Sequence, residues 1–327
     1  MTQTSPMASP MTPAITPAIV SLKQASKAYQ GQQVLSQIDL DLAPGEVLGL
    51  FGHNGAGKTT MMKLILGIMP PSQGKVEVFG VDPMSKQAWL GRRNIGYLPE
   101  NVSFYDELTG KQVLNYFARL KSVDKQSVLA LLEQVGLSHA MNRAVKTYSK
   151  GMKQRLGLAQ AFLGEPKLLL LDEPTVGLDP IATKEFYQSV DKLKSDGASI
   201  ILCSHVLPGV EQHIDRALIL GSGKVLAIGT LAELRQQANL PVAIRTQGLN
   251  GSLQQDAALN GFMVGADLLH VSEAQKMAVM RQLMSLESLK DIQLEPADLG
   301  CLYQHFLSQA ADKSAAKPHS AEERVQP

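Results

Sequence analysis

Residues 52–59 read GHNGAGKT, and this stretch constrains the fold of the chain more than any other. An apolar run, EVLGLF, leads into it from a Pro44-Gly45 turn, and KTTMMKLILGIM, with helical apolar spacing, leads out. A strand that passes through glycines straight into a helix opens a βαβ unit, so an α/β fold is expected, with this loop at one end of the sheet. The pattern is G-x-x-x-x-G-K-[ST], with Gly52, Gly57, Lys58 and Thr59 at the specified positions. Glycines let the backbone curl until successive N–H groups converge on a phosphate. Lys58 would neutralise the β- and γ-phosphates of a nucleotide, and the Thr59 hydroxyl would ligate Mg²⁺. The expected nucleotide-binding set also takes in His53, Asn54, Gly55, Ala56 and Thr60, with His53 serving only as a loop residue. A glycine-rich turn with an incidental lysine is the alternative, and the strand–helix context argues against it.

The other segments agree with this frame. AIVSLKQASKAY and QQVLSQIDLDLA read as strands, and NIGYLPE as a strand ending at a proline. KLLLLDE and SIILCSH are nearly continuous apolar runs, the mark of parallel strands buried on both faces. ATKEFYQSVDKLKSDG lies between them as a helix, and RALILGSGKVLAIGT reads as a hairpin turning at Gly221-Ser222-Gly223. Residues 107–164 are dominated by helical patterns. An α/β nucleotide domain over residues 18–238, with a helical insertion between its strands, follows. Beyond it, PVAIRTQGL, GADLLHVSE, AQKMAVMRQLMSL, LKDIQLEP and ADLGCLYQHFL suggest strand, strand, helix, strand, helix, a small α+β domain over 239–309. The Pro/Thr/Ser-rich residues 1–17 and the polar residues 310–327 are expected to be disordered. A length of 327 residues suits one large domain with a smaller one.

LLLLDEP supplies acids to complement the phosphate loop. Its strand carries Asp172 to the C-terminal edge of the sheet, where ligands of open α/β sheets bind, and Asp172 can hold Mg²⁺. Glu173 can polarise an attacking water as general base. Capping of a helix start, suggested by Pro174, is the bland alternative for both. SIILCSH ends in His205, which can contact the γ-phosphate and the water or serve structure alone. Cys203-x-His205 falls on one face of a buried strand with no further ligand nearby, so a metal pair is rejected. Cys203 and Cys301 are the only cysteines, which suits a reducing compartment and excludes a disulfide framework.

VKTYSKGMKQRLGLAQA, residues 145–161, adds a second phosphate-binding surface, Ser149-x-Gly151 at a helix start. With this segment ahead of the acidic strand and GLDP after it, the chain resembles the ATPases of ATP-binding cassette (ABC) transporters over residues 18–238. The resemblance implies a mixed-sheet core, an antiparallel β subdomain and a helical subdomain. It implies a homodimer binding two ATP with Mg²⁺, each ATP lying between the phosphate loop of one chain and the signature helix of the other. Ser149 and Gly151 then contact the γ-phosphate held by the partner chain, Asp179 of GLDP links the two sites, and His205 is the switch histidine. Tyr29 matches the aromatic that stacks on adenine, a place any half-exposed strand tyrosine could mimic. Two positions depart from the family pattern. Lys150 and Met152 replace a glycine and a glutamine of the signature. Glu100 stands for a glutamine at the metal and attacking water, where a carboxylate would ligate Mg²⁺ more strongly or repel the γ-phosphate without it.

More narrowly, GHNGAGKTTMMKLILGI, GYLPENVSFY, VKTYSKGMKQRLGLAQA, LLLLDEPTVGLDPIAT and IILCSHVLPGVE are similar to the ATPase subunits of transporters that mature the copper centres of nitrous oxide reductase. That likeness implies an integral membrane permease as partner, a periplasmic protein reached indirectly, and a peripheral place on the cytoplasmic face of a bacterial inner membrane. An ABC-2-type drug or lipid exporter is the alternative. Exposed Phe104 and Tyr105 of NVSFYDELTG would form the groove for the permease, or else pack under the helical insertion. A soluble cassette protein acting on ribosomes or DNA is disfavoured: each motif occurs once, and Ser149 follows Lys58 by only about ninety residues, too few for a long coiled-coil insertion. A net charge of +1 offers no general attraction for nucleic acid, so none is expected as a partner. No apolar run approaches the roughly 18 residues needed to cross a bilayer.

Overall fold

The computed structural model describes residues 17–205, 207, 209–249 and 252–315. The expected disorder of residues 1–16 and 316–327 lies outside them. Strands β1 (Val20–Tyr29) and β2 (Gln32–Leu42) form an antiparallel hairpin, followed by β3 (Val47–Phe51), α1 (Lys58–Ile65), β4 (Gln73–Val78), α2 (Ala88–Arg92) and β5 (Ile95–Leu98). Helices α3 (Gly110–Lys121), α4 (Lys125–Gln134) and α5 (Lys150–Phe162) form the insertion. Then come β6 (Leu168–Asp172), α6 (Pro180–Ser195), β7 (Ser199–Cys203), β8 (Arg216–Gly221), β9 (Lys224–Gly229) and α7 (Leu231–Ala238).

The six-stranded sheet runs β5-β6-β7-β3-β8-β9, parallel except for the antiparallel edge pair β8–β9. Every residue of VLGLF, LLLLD and SIILC is buried, as strands covered on both faces must be. Alternation divides them between two cores. Val47, Phe51, Leu169, Leu171, Ile200 and Leu202 face the helical insertion, while Leu48, Leu50, Leu168, Leu170, Ile201 and Cys203 face the β2-β1-β4 sheet and α1. The chain places β5, β6 and β7 on one side of β3 and β8 and β9 on the other, so the strand order reverses at β3. The C-terminal ends of β3, β6 and β7 therefore open on a crevice at that switch point.

β4 is a strand the sequence reading does not contain. Of QGKVEV only Val76 and Val78 are buried, and Lys75 and Glu77 pair on the exposed side at 2.7 Å, so its apolar pattern is two residues long. α7, capped by Thr230 and Glu233, is likewise additional.

The C-terminal segment comprises β10 (Val242–Gln247), α8 (Ser252–Gln255), β11 (Met263–Gly265), β12 (Leu268–Val271), α9 (Glu273–Met284), β13 (Asp291–Glu295) and α10 (Leu299–Ala315). Its antiparallel sheet, ordered β11-β12-β10-β13, encloses a separate core of Ile244, Leu269, Val271, Val279 and Leu283. α10 departs from the sequence reading twice. It continues through 310–315, where disorder is expected, and it seats Leu299, Leu302 and Phe306 in the large domain's core against α7, β8 and β9. Glu211 fixes its start by accepting from the Leu299 N–H at 2.6 Å. Helical periodicity shows that a helix has an apolar face; it carries no information on which of two cores receives that face.

Candidate active site

The loop after β3 is held in shape by its neighbours. A Cβ on Gly52 would stand 2.6 Å from the Leu220 carbonyl of β8, and one on Gly57 would stand 2.6 Å from the Leu35 side chain of β2. Gly57 also has φ 110°, a left-handed value at the point where α1 begins. Ala56 lies under the loop, closing a turn onto the His53 carbonyl at 3.0 Å. Lys58, 8% exposed, donates from Nζ to the Gly52 carbonyl at 2.6 Å. Its ammonium is thus poised over the loop, held by carbonyls that a phosphate can replace.

Thr59 Oγ1 donates to Asp172 Oδ2 at 3.0 Å, joining the start of α1 to the end of β6. Asp172 is buried, and desolvation raises its carboxyl above the ordinary range. The charges of Glu100 and Glu173 add to that, while the Thr59 hydrogen bond and Lys58 oppose it. A cation joining the site would favour the carboxylate and offset that rise. Tyr97, on β5, feels the same field: burial, with the Asp172 charge behind it, pushes its phenol up to about 12.

Glu173 is buried with φ 51°, a left-handed value unusual for a residue with a Cβ. Its Oε2 lies 2.7 Å from His205 Nδ1 and accepts from the His205 backbone N–H at 3.2 Å. The capping alternative for Asp172 and Glu173 fails, because α6 begins at Pro180 and Asp179 caps it by accepting from Ala182 N–H at 2.9 Å. Nor do Cys203 and His205 share a strand face. β7 ends at Cys203, which is sealed in the core with its thiol raised by burial, and His205 lies beyond the strand with an exposed imidazole.

These residues line one cavity of about 630 Å³. It brings together His53, Asn54, Gly55, Gly57, Lys58, Thr59 and Thr60 with Glu100, Asp172, Glu173 and His205. Val34 of β2 completes the wall and was not singled out in the sequence, where a valine on a strand carries no chemical signal. Tyr29 lies on the same hairpin outside that lining; it is 41% exposed, and its hydroxyl contacts Met69 Sδ at 2.8 Å.

Ser149, Gly151 and Asp179 are elsewhere. They line a second cavity of about 350 Å³, with His139 and Arg155 also in its wall. Ser149 caps α5, accepting from Met152 N–H at 3.2 Å, and the first N–H groups of that helix open outward. Arg155 Nη2 lies 3.2 Å from Asp179 Oδ2. The Ala182 hydrogen bond, first among several causes, holds the exposed Asp179 carboxyl below the ordinary range. Lys150 runs its methylenes beside Gly177, within 3.6–3.9 Å of where a Cβ would stand.

Of the candidate groove residues, Tyr105 is 80% exposed, while Phe104 packs edge-on to Phe117 at 6.5 Å between centroids. The two alternatives are thus divided between the pair, and both residues line an apolar groove of about 570 Å³ with Tyr116 and Phe117. Among the described residues no helix is long and apolar enough to cross a membrane.

Comparison with known proteins agrees with this architecture. The ABC transporter family matches residues 35–176. YdbJ, an ABC transporter ATP-binding protein of Bacillus subtilis, is 36% identical over 75% of this chain and 82% of its own length. The daunorubicin resistance ATP-binding protein DrrA3 of Streptomyces coeruleorubidus is 34% identical over 76% of this chain and 80% of its own. The solved structure of an ATP-binding subunit of an ABC transporter matches with a TM-score of 0.64 at 34% identity, covering 67% of this chain and 92% of that one. The chain belongs to the ATP-binding subunits of ABC transporters, ATPases whose hydrolysis is coupled to transport.

Proposed function

We propose that the chain works as a homodimer closing around two ATP molecules, with each site built from the first cavity of one chain and the second cavity of the other. The observation that carries this reading is the separation of Ser149, Gly151 and Asp179 from the phosphate loop into a cavity of their own. In this mechanism the N–H groups of residues 53–59 and the Lys58 ammonium bind the β- and γ-phosphates, with Lys58 exchanging the Gly52 carbonyl for phosphate oxygen. Thr59 Oγ1, the Asp172 carboxylate and Glu100 are hard oxygen donors suited to Mg²⁺, which would supply charge neutralisation at the transferring phosphoryl group. Glu173 takes the proton of the attacking water, and His205, at its Oε2, fixes the geometry of base, water and γ-phosphate. Loss of the γ-phosphate removes the ligand that both chains share, and the interface opens.

Closure and opening pass to an integral membrane permease whose coupling helix occupies the Phe104–Tyr105–Tyr116–Phe117 groove, placing the chain peripherally on the cytoplasmic face of a bacterial inner membrane. Glu173→Gln tests the catalytic assignment. It should bind ATP, lose about 10²–10⁴-fold in kcat and remain a closed dimer in ATP; wild-type turnover would remove Glu173 as the base.

The narrower reading is maturation of the copper centres of nitrous oxide reductase, with a periplasmic protein as indirect partner. It is supported by the likeness of the phosphate-loop, signature, acidic-strand and switch segments to that group. Drug or lipid export is the second reading, favoured by the similarity to the daunorubicin resistance protein. A deletion strain grown on nitrous oxide separates them. Copper-deficient reductase supports maturation, and fully loaded reductase leaves the export reading.

A further inference from the structure

One buried polar side chain beside the first cavity has no part in the chemistry described above. Gln154, 4% exposed, lies in the second turn of α5, the helix whose start carries Ser149. Its Nε2 donates to the Pro174 carbonyl at 3.1 Å and lies 3.4 Å from the Glu173 carbonyl. A residue with a Cβ keeps a left-handed φ only where its surroundings hold it there, and Glu173 has φ 51°. Its own N–H is held by the Cys203 carbonyl at 3.0 Å and its carboxylate by His205; on the carbonyl side Val176 N–H at 3.3 Å and the Gln154 amide at 3.4 Å converge on its oxygen.

The same two turns of α5 touch the segment after β6 at further points. A Cβ on Gly151 would stand 2.8 Å from the Gly177 carbonyl, so the helix backbone lies directly against that loop. Lys150 packs its stem beside Gly177, and Arg155 pairs with Asp179. The start of α5 and residues 173–179 are therefore one packed unit, with Gln154 the polar tie at the base itself.

We propose that Gln154 is a positioning residue: it fixes the backbone of Glu173 from the helix whose start receives the partner chain's nucleotide, so that ATP arriving in one composite site sets the base of the other. This rests on the reading of Glu173 as base and of Ser149 as a contact to the partner's ATP. Removing the buried amide takes a donor from the Pro174 carbonyl and leaves the Glu173 carbonyl with Val176 N–H alone, and the cost falls on the Glu173 conformation rather than on ATP binding.

The test uses the purified full chain and reads kcat, the dissociation constant for ATP, the Hill coefficient of hydrolysis against ATP concentration and the thermal midpoint. The wild-type coefficient should exceed 1. Gln154→Met keeps length and lacks the donor. It should fold and bind ATP as wild type, lose about tenfold or more in kcat, and lower the Hill coefficient toward 1. Gln154→His returns an N–H donor at nearly the same reach and should recover both. If Gln154→Met does not fold, Gln154→Glu, which keeps the size but offers no donor as a carboxylate, is read the same way. Wild-type kcat or an unchanged Hill coefficient in the folded variant overturns the proposal. Glu173→Gln, run alongside, distinguishes the failures: normal turnover there sinks the underlying reading, whereas an inactive Glu173→Gln beside a fully active Gln154→Met sinks the role of Gln154 alone.

Discussion

Asp172 and Glu173 of the first cavity are 1% and 5% exposed, and each is hydrogen-bonded to a neighbour that fixes it. Ser149 and Asp179 of the second cavity are exposed, and their side-chain oxygens are spent on capping α5 and α6. The first cavity brings the Glu173 carboxylate, the Thr59–Asp172 pair and the Lys58 ammonium together in one wall. The second presents two helix starts to solvent, with Asp179 committed to Arg155 and the α6 cap and no phosphate loop in its wall. In the proposed dimer the first cavity of another copy supplies what that surface lacks. Desolvation upon that meeting would strengthen every interaction inside.

The sharpest way to break this comparison is to damage the exposed half alone. Ser149→Arg places a long cation where the proposed dimer would receive the partner's phosphate. It should lower kcat by about 10²-fold or more while the first cavity keeps its affinity for ATP in a binding titration. Unimpaired turnover would mean that the second cavity takes no part. A smaller effect is expected at the edge of the first cavity. Tyr29→Ala removes an exposed ring on the hairpin that also carries Val34, and should raise KM for ATP by about two- to tenfold with kcat unchanged. An unchanged KM would assign the ring to Met69 alone.

The smallest effect belongs to neither cavity and serves as a control. Lys121, at the end of α3, donates to the Leu163 carbonyl at 2.9 Å, and burial lowers its ammonium from 10.5 to about 8. Below pH 8 both folded and unfolded chains carry the proton, and the folded state bears the burial penalty in full. Between about 8 and 10.5 the unfolded chain holds a proton the folded chain has released, so stability rises with pH through that window. Lys121→Met should remove the rise in denaturant midpoints measured at pH 7 and pH 9.5, and leave ATP hydrolysis as in wild type. An identical rise in both proteins would contradict the assignment.

The two halves also differed in how far the sequence revealed them. The first cavity was open to reading because phosphate chemistry demands particular residue types at fixed spacing, and β3, β6 and β7 are continuous apolar runs that only a sheet buried on both faces explains. Ser149-x-Gly151 could be read as a phosphate site, but nothing in its spacing says that the phosphate belongs to another chain; the family resemblance supplied that. β4 escaped because its two buried valines alternate with charges, and the destination of α10 escaped because an apolar face does not name its partner. Gln154 escaped because a glutamine in the second turn of a helix looks like solvent-facing filler until its amide is seen under the backbone of Glu173.

The central claim is that each working site takes one cavity from each of two chains, and subunit mixing tests it directly. Ser149→Arg damages only the second cavity and Lys58→Ala only the first, so each should be inactive as a homodimer. Combined in equal amounts, they form heterodimers in which one composite site is damaged twice and the other is intact. Hydrolysis should then return on statistical reassortment, to about a quarter of the wild-type rate where the two sites work independently and to less where α5 couples them. A mixture as inactive as its parents, with heterodimers demonstrated, or full activity in the Ser149→Arg protein alone, would contradict the account.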